Sequence, residues 1–272
     1  YDGTGESFEA GFQSADLQLT HYANAEAALA ALRLLQSDSG DKERKREILF
    51  RIGDCHLALG NLDAAETQYT MISDPSQSGL SDDSVSEEAA YRLAELLLFS
   101  GDVEGAAESF TTLAAEYTGG DLANDALEWS LLLGMSGEIG AETLASYIEA
   151  VLLQRQYRTA AALDRYKQFL NDHPDSPISD MAVLDIGLIL NDGDRPHEAI
   201  AAYRDLLEKY PASRHAVKAQ ERIAHIFEVQ LQDIPQAITE YQTILLNYPA
   251  NVHNDAIRRR IRTLAENNPP IP

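Results

Sequence analysis

Cysteine is almost missing from this sequence. Cys55 stands alone among 272 residues, so no internal disulfide and no multi-cysteine metal cluster can form. Lysine is scarce as well, 5 against 16 arginines, and the 21 basic residues face 44 Asp and Glu, a formal net charge of −23. A field of that sign repels phosphate backbones and anionic membranes, so no nucleic-acid partner is expected. No run approaches the roughly 18 consecutive apolar residues of a membrane span. Strand signals are equally thin, with no alternating β-branched runs and no Asn-Gly hairpins. The chain opens at Tyr1 rather than Met, which reads as a processed or excised form without a targeting segment to give its compartment.

What is present is helical. The hydrophobic share is 44%, enough for a folded core. Apolar residues recur at three- and four-residue spacing, as in Leu93, Leu96, Leu97 and in Phe110, Leu113, Ala114, the period of amphipathic helices. Gly and Pro punctuate these stretches. The carboxylate excess and the preference for Arg over Lys resemble proteins of salt-loving organisms, and GC-rich coding would favour Arg as well.

The helices repeat. Segments ending at Pro174, Pro211 and Pro249 each carry an aromatic eight residues before the proline (Tyr166, Tyr203, Tyr241) and an alanine four residues before that (Ala162, Ala199, Ala237). The three prolines lie 37 and 38 residues apart. The same alanine–aromatic spacing recurs in Ala65 with Tyr69 and Ala106 with Phe110, after turns at Gly60-Asn61 and Gly101-Asp102. A single helix pair cannot bury its apolar face, so such units gain stability by stacking. Small residues such as Gly53 let the paired helices approach, and the aromatics fill the core.

This arrangement resembles the tetratricopeptide-repeat family. Residues 49–75 carry its pattern with Leu49, Ile52, Gly53, Gly60, Ala65, Tyr69 and Pro75. Residues 183–211 carry it with Val183, Ile186, Gly187, Leu190, Ala199, Tyr203 and Pro211, and residues 12–35 hold a degenerate copy. The resemblance implies an all-α fold: an α-α superhelix, a solenoid of antiparallel helix pairs. The polar-faced segment 252–265 reads as a closing C-terminal helix.

The register breaks once, because Phe110 and Tyr166 lie 56 residues apart, about one helix too many. The stretch 121–133 has the helical pattern and holds the single tryptophan, Trp129. Gly134, Gly137 and Gly140 follow, each costing a continuous helix about 1 kcal/mol relative to Ala. The expectation is two stacks: residues 1–136, about three helix pairs plus an extra helix, and residues 137–272, three pairs plus the capping helix. A loop over 74–86 is expected between helices.

No catalytic signature stands up. Gly3-Thr-Gly5 lacks the rest of a phosphate-binding turn, and no Gly-x-Ser-x-Gly elbow occurs. Cys55 and His56 are adjacent on a helix and point about 100° apart, so they do not face each other. His225 and Glu228, three apart, are more readily a hydrogen-bonded pair than metal ligands. Neither metal nor cofactor is expected. Two basic clusters, Lys42 to Arg46 and Arg258 to Arg262, read as solvated faces with local ion pairs.

The resemblance implies a non-enzymatic scaffold or adaptor that binds a partner peptide or helix in the groove lined by the first helices of its pairs. The family's groove positions fall on Phe50, Arg51, Asp54, Tyr91, Arg92, Glu95, Phe99, Tyr147, Arg155 and Leu188. The Lys/Asn/Arg clamp that holds acidic chaperone tails is not matched, since those positions carry Phe50, Asp54, Arg92, Leu144 and Ile148. The repeat ends at Tyr210 to Ser213, His173 to Ser176 and Tyr248 to Asn251 resemble bacterial cell-envelope repeat proteins. That resemblance favours a periplasmic or outer-membrane-associated setting and a role in envelope assembly. The alternative is a solenoid holding a small molecule or glycan in the same groove. Stacked solenoid ends can pair, so a homodimer stays among the readings.

Overall fold

The structure, a computed structural model, describes residues 5–38, 42–73 and 84–268. The described residues are helical, joined by short turns, with no strand among them. Helices α1 (Gly5–Thr20), α2 (Ala25–Asp38), α3 (Lys42–Ala58), α4 (Leu62–Ser73), α5 (Ser84–Ser100) and α6 (Val103–Glu116) form three antiparallel pairs. Then come α7 (Ala123–Gly134), the single turn α8 (Ser136–Ile139), α9 (Ala141–Arg155) and α10 (Thr159–Asp172). Helices α11 (Ser179–Asp192), α12 (Pro196–Lys209), α13 (Ala216–His225, extended by a π turn over Ile226–Gln230) and α14 (Ile234–Asn247) form two more pairs, and α15 (Asn254–Asn267) closes the chain. Pro75 and most of the expected 74–86 loop lie outside the described residues.

One backbone feature marks the repeat. The residue between the two helices of a pair sits at positive φ in Ala23, Gly60, Gly101, Tyr157, Asp194 and Gln232. These positions are 37, 41, 56, 37 and 38 residues apart, so six turns fall in one period except across the inserted α7 and α8. Glycine takes this left-handed conformation freely, whereas an L side chain strains by roughly 1–2 kcal/mol. Four of the six turns bear that strain. Helix starts are capped where the turn ends: Asp102 Oδ1 accepts from Gly105 N–H at 2.9 Å and Asp233 Oδ1 from Gln236 N–H at 3.1 Å. Pro196 and Pro235 occupy first-turn positions, where a missing N–H costs nothing.

The pairs close on glycine and tyrosine. Tyr69 and Tyr203 are fully buried. A Cβ added to Gly53 would come within 2.5 Å of the Tyr69 ring, and one added to Gly187 within 2.3 Å of the Tyr203 ring. The hydrogen side chain is therefore a packing requirement, although Ala is normally the better helix former.

The chain divides into two compact units, Tyr1–Ala162 and Leu163–Pro272. The first unit runs past residue 136, where the repeat register breaks in the sequence, to residue 162. The reason lies in α9, which packs against α3 and α5 of the first unit. Arg155 reaches Glu95, and Tyr157 packs against the core cluster to which Ala15, Leu19 and Cys55 belong. The helix expected over 121–133 is α7, and the chain breaks at Met135 and Gly140 (φ +87°) as the glycines suggested.

Candidate functional site

The first helices α3 and α5 present the expected groove residues on a common face of the first unit, and α9 lies on it. Phe50 packs on Tyr69 with ring centroids 5.6 Å apart, and the guanidiniums of Arg51 and Arg92 lie 5.8 and 5.9 Å from the Phe50 ring. Asp54, with 2% exposure, is the hub. It accepts from the Tyr69 hydroxyl at 2.7 Å and from Arg51 at 3.0 Å, and lies 3.5 Å from Arg92 Nε. Arg51 also pairs with Asp16 of α1 at 3.0 Å.

A second hub follows one helix on. Glu95 is fully buried and accepts from Arg92 at 2.9 Å and from Arg155 Nε at 2.8 Å. Gln156 donates to the Leu57 carbonyl at 3.4 Å. Three carboxylates and three guanidiniums thus balance across α1, α3, α5 and α9. Burial acts to lower the Arg92 and Arg155 pKa values, and Glu95, joined by Asp54 at Arg92, outweighs it and holds both above the ordinary value. Burial together with the Asp54 charge pushes the Cys55 thiol and the Tyr157 hydroxyl each up to about 12. Cys55 therefore stays a neutral packing group at physiological pH.

An aromatic ladder ties the inserted helix to this face. Tyr91 meets Phe110 edge-on at 5.2 Å, Phe110 stacks on Trp129 at 5.8 Å, and Trp129 lies 6.1 Å from Tyr147 of α9. The structure thus brings Phe50, Arg51, Asp54, Tyr91, Arg92, Glu95, Tyr147 and Arg155 into one packed assembly within the first unit. Phe50, Asp54, Tyr91, Glu95 and Tyr147 are buried; Arg51, Arg92 and Arg155 are half-buried. Phe99 stands apart from the charge network, half-buried at the end of α5, and lines a cavity of about 810 Å³ with the start of α6 and residues 136–152.

Leu188 lies in the second unit, half-buried on α11, one residue after Gly187 just as Asp54 follows Gly53. With a leucine in the carboxylate's place, the fully buried Tyr203 hydroxyl finds no hydrogen-bond partner. Elsewhere in this unit the Tyr241 hydroxyl donates to buried Glu228 at 2.9 Å, and Arg260 donates to the other Glu228 oxygen. Glu228 is thereby committed to Tyr241 and Arg260 rather than to His225, which is exposed. The basic clusters are likewise partly engaged: Arg44 lies over the Phe8 ring, Arg46 donates to Ser86, and Arg258 pairs with Asp255.

The two tyrosines should respond oppositely to loss of the hydroxyl. Tyr203→Phe removes an unsatisfied buried group and should raise stability by about 1 kcal/mol, whereas Tyr69→Phe breaks a bond to a charged acceptor and should cost about 1.5–3 kcal/mol. Urea unfolding followed by far-UV circular dichroism measures both. A loss of stability in Tyr203→Phe would mean that its hydroxyl is satisfied in solution.

The model of the tetratricopeptide repeat family matches residues 14–77 and 148–214. Among solved structures, the chain is similar to the TPR2AB domain of yeast Sti1 in complex with pHSP90, at 15% identity, 97% of this chain and 98% of that one covered, TM-score 0.40. It is similar to a tetratricopeptide repeat protein from Parabacteroides merdae at 14% identity, with 96% and 99% covered and TM-score 0.40. The C-terminal part of a repeat-containing protein from Cytophaga hutchinsonii gives 15% identity, 90% and 98% covered, TM-score 0.35. No curated protein matches the chain.

Proposed function

We propose that this chain, whose residues 14–77 and 148–214 match the tetratricopeptide repeat, is a non-enzymatic scaffold that binds a helical segment of a partner protein against the first helices of its pairs. One observation carries the reading. The α3–α5 face already holds a helix of the chain itself, α9, by apolar contacts and by Arg155 on buried Glu95. The chemistry that this face accepts is therefore visible: a helix with apolar residues on one side and an arginine near its C-terminal end. A partner reaching Phe50, Arg92 or Glu95 would take the place of α9.

The proposal extends to bacterial cell-envelope assembly, in the periplasm or at the outer membrane. Its support is the resemblance of the repeat ends Tyr210 to Ser213 and Tyr248 to Asn251. Among the described residues, no helix is long and apolar enough to cross a membrane.

The test is affinity capture from a lysate of the source organism with membranes solubilised. The bait is the whole chain, as wild type and as Arg155→Ala. A synthetic peptide with the sequence of residues 141–155 serves as competitor. The expected result is a defined partner that the peptide displaces and that Arg155→Ala captures more strongly, since α9 is then less firmly seated. Retention that the peptide does not touch would overturn the assignment of this face.

A further inference from the structure

The cavity of about 810 Å³ in the first unit is separate from the charge network. Its walls are Leu98 and Phe99 of α5, Val103 of α6, and Leu144, Ile148 and Leu152 of α9. The polar groups in it are few and engaged: Ser100 Oγ donates to the Leu97 carbonyl at 2.9 Å, and the Ser136 carbonyl accepts from Gly140 N–H at 2.9 Å. A Cβ built at Gly101 or Gly137 would meet no atom within 4 Å, so open space lies beside both.

Two observations say what fits. Along α9, Ala141, Ala145 and Glu149 line the cavity, are exposed and are spaced by four residues, so they share one helix face. Two alanines a turn apart let another helix approach closely. The charged residues of the segments that line the cavity have one sign. Glu149 is the one charged side chain lining the cavity. The exposed carboxylates Asp102, Glu104, Glu138 and Glu142 flank lining residues in the sequence. Residues 98–104 and 136–152 contain no Lys or Arg.

We infer that this cavity is the docking site for a cationic amphipathic helix of a partner protein. Its apolar side chains enter between Phe99 and Ile148, its backbone crosses Ala141 and Ala145, and its Lys or Arg side chains meet the acidic rim. This rests on the scaffold reading and adds a partner class and a contact point that stays reachable with α9 in place. Apolar burial anchors the helix, and the rim selects its charge.

The probe is a synthetic amphipathic helix of Leu and Lys, titrated calorimetrically into the whole chain. A Leu/Glu peptide and a Ser/Lys peptide are controls. The Leu/Lys peptide should bind at least tenfold more tightly than either, and retain binding in 0.5 M salt, where exposed charge pairs are screened. Ala145→Trp, at an exposed helical position, fills the cavity and should weaken binding at least tenfold with an unchanged circular dichroism spectrum. Glu138→Lys with Glu142→Lys should weaken it several-fold, most at low salt. Equal binding by the Ser/Lys peptide, or by Ala145→Trp, would reduce the effect to the general acidity of the chain and overturn the site. Self-association of the wild type that Ala145→Trp abolishes, read by sedimentation, would assign the cavity to a second copy and overturn the partner. Capture at the α3–α5 face is scored by the competing 141–155 peptide, so failure here leaves that reading standing, and the reverse.

Discussion

Glu95→Ala should destabilise the first unit by about 3–5 kcal/mol, the usual loss when one partner of a buried ion pair is removed. Glu95 has no exposed surface and receives both Arg92 and Arg155. Truncation leaves Arg92 to Asp54, which is itself shared with Arg51 and Tyr69, and takes from Arg155 the carboxylate it pairs with. Water does not easily replace it, because the Arg92 and Arg155 side chains keep only 17% and 31% exposure. Urea unfolding followed by Trp129 emission isolates this unit, since the sequence has one tryptophan. Glu95→Gln keeps the shape and one accepting oxygen and should lie between wild type and Glu95→Ala. Glu9→Ala, in the same unit, is the control: its contact with Gln13 is exposed, and the curve should not move. A Glu95→Ala curve overlying that of Glu9→Ala would mean that the network is hydrated and that α9 is held by apolar packing alone.

The repeat was legible in the sequence because its carriers are residue types with one structural use. Gly53 and Gly187 lie under Tyr69 and Tyr203, where a Cβ does not fit, and the alanines four residues before each aromatic are buried beside the partner helix. The turns were half legible. Gly60 and Gly101 announce the left-handed position, whereas Ala23, Tyr157, Asp194 and Gln232 take the same conformation without a signal. Backbone hydrogen bonds close these turns instead: the next residue's N–H reaches back to a helix carbonyl, Arg158 to Leu153, Arg195 to Leu190 and Asp233 to Phe227, at a local cost that propensity does not reveal.

The site was legible as a set of positions and illegible as an arrangement. Helical periodicity puts Phe50, Asp54, Arg92 and Glu95 on first-helix faces, but it does not say what covers a face. Arg155 and Glu95 are 60 residues apart, and no spacing rule predicts that α9 turns back onto α3 and α5. The alternation of Arg and carboxylate along those faces was the one available hint: three cations and three anions on helix faces can satisfy one another and need no ligand. The cavity beside Phe99 escaped for the opposite reason, since empty space between elements leaves no mark in a sequence.

Phe110→Ala should cost about 3–5 kcal/mol, as expected for emptying a fully buried aromatic site. Phe110 has no exposed surface and carries both an edge contact to Tyr91 and a stack on Trp129, pairs each worth about 0.5–1.5 kcal/mol beyond burial. Phe110→Leu retains most of the volume and should lose less than about 1.5 kcal/mol beyond those ring contacts. The ladder continues from Trp129 to Tyr147, so the hole left by Phe110 lies beneath the helix that carries α9's aromatic anchor. The consequence reaches past stability. In Phe110→Ala, Trp129 emission should shift to longer wavelength in the folded protein, because a ring with 8% exposure gains water on the face that Phe110 covered. Unchanged emission with a smaller loss of stability would mean that the cavity collapses and that α7 follows the core inward; α9 would then keep its seat, and Arg155 would remain on Glu95.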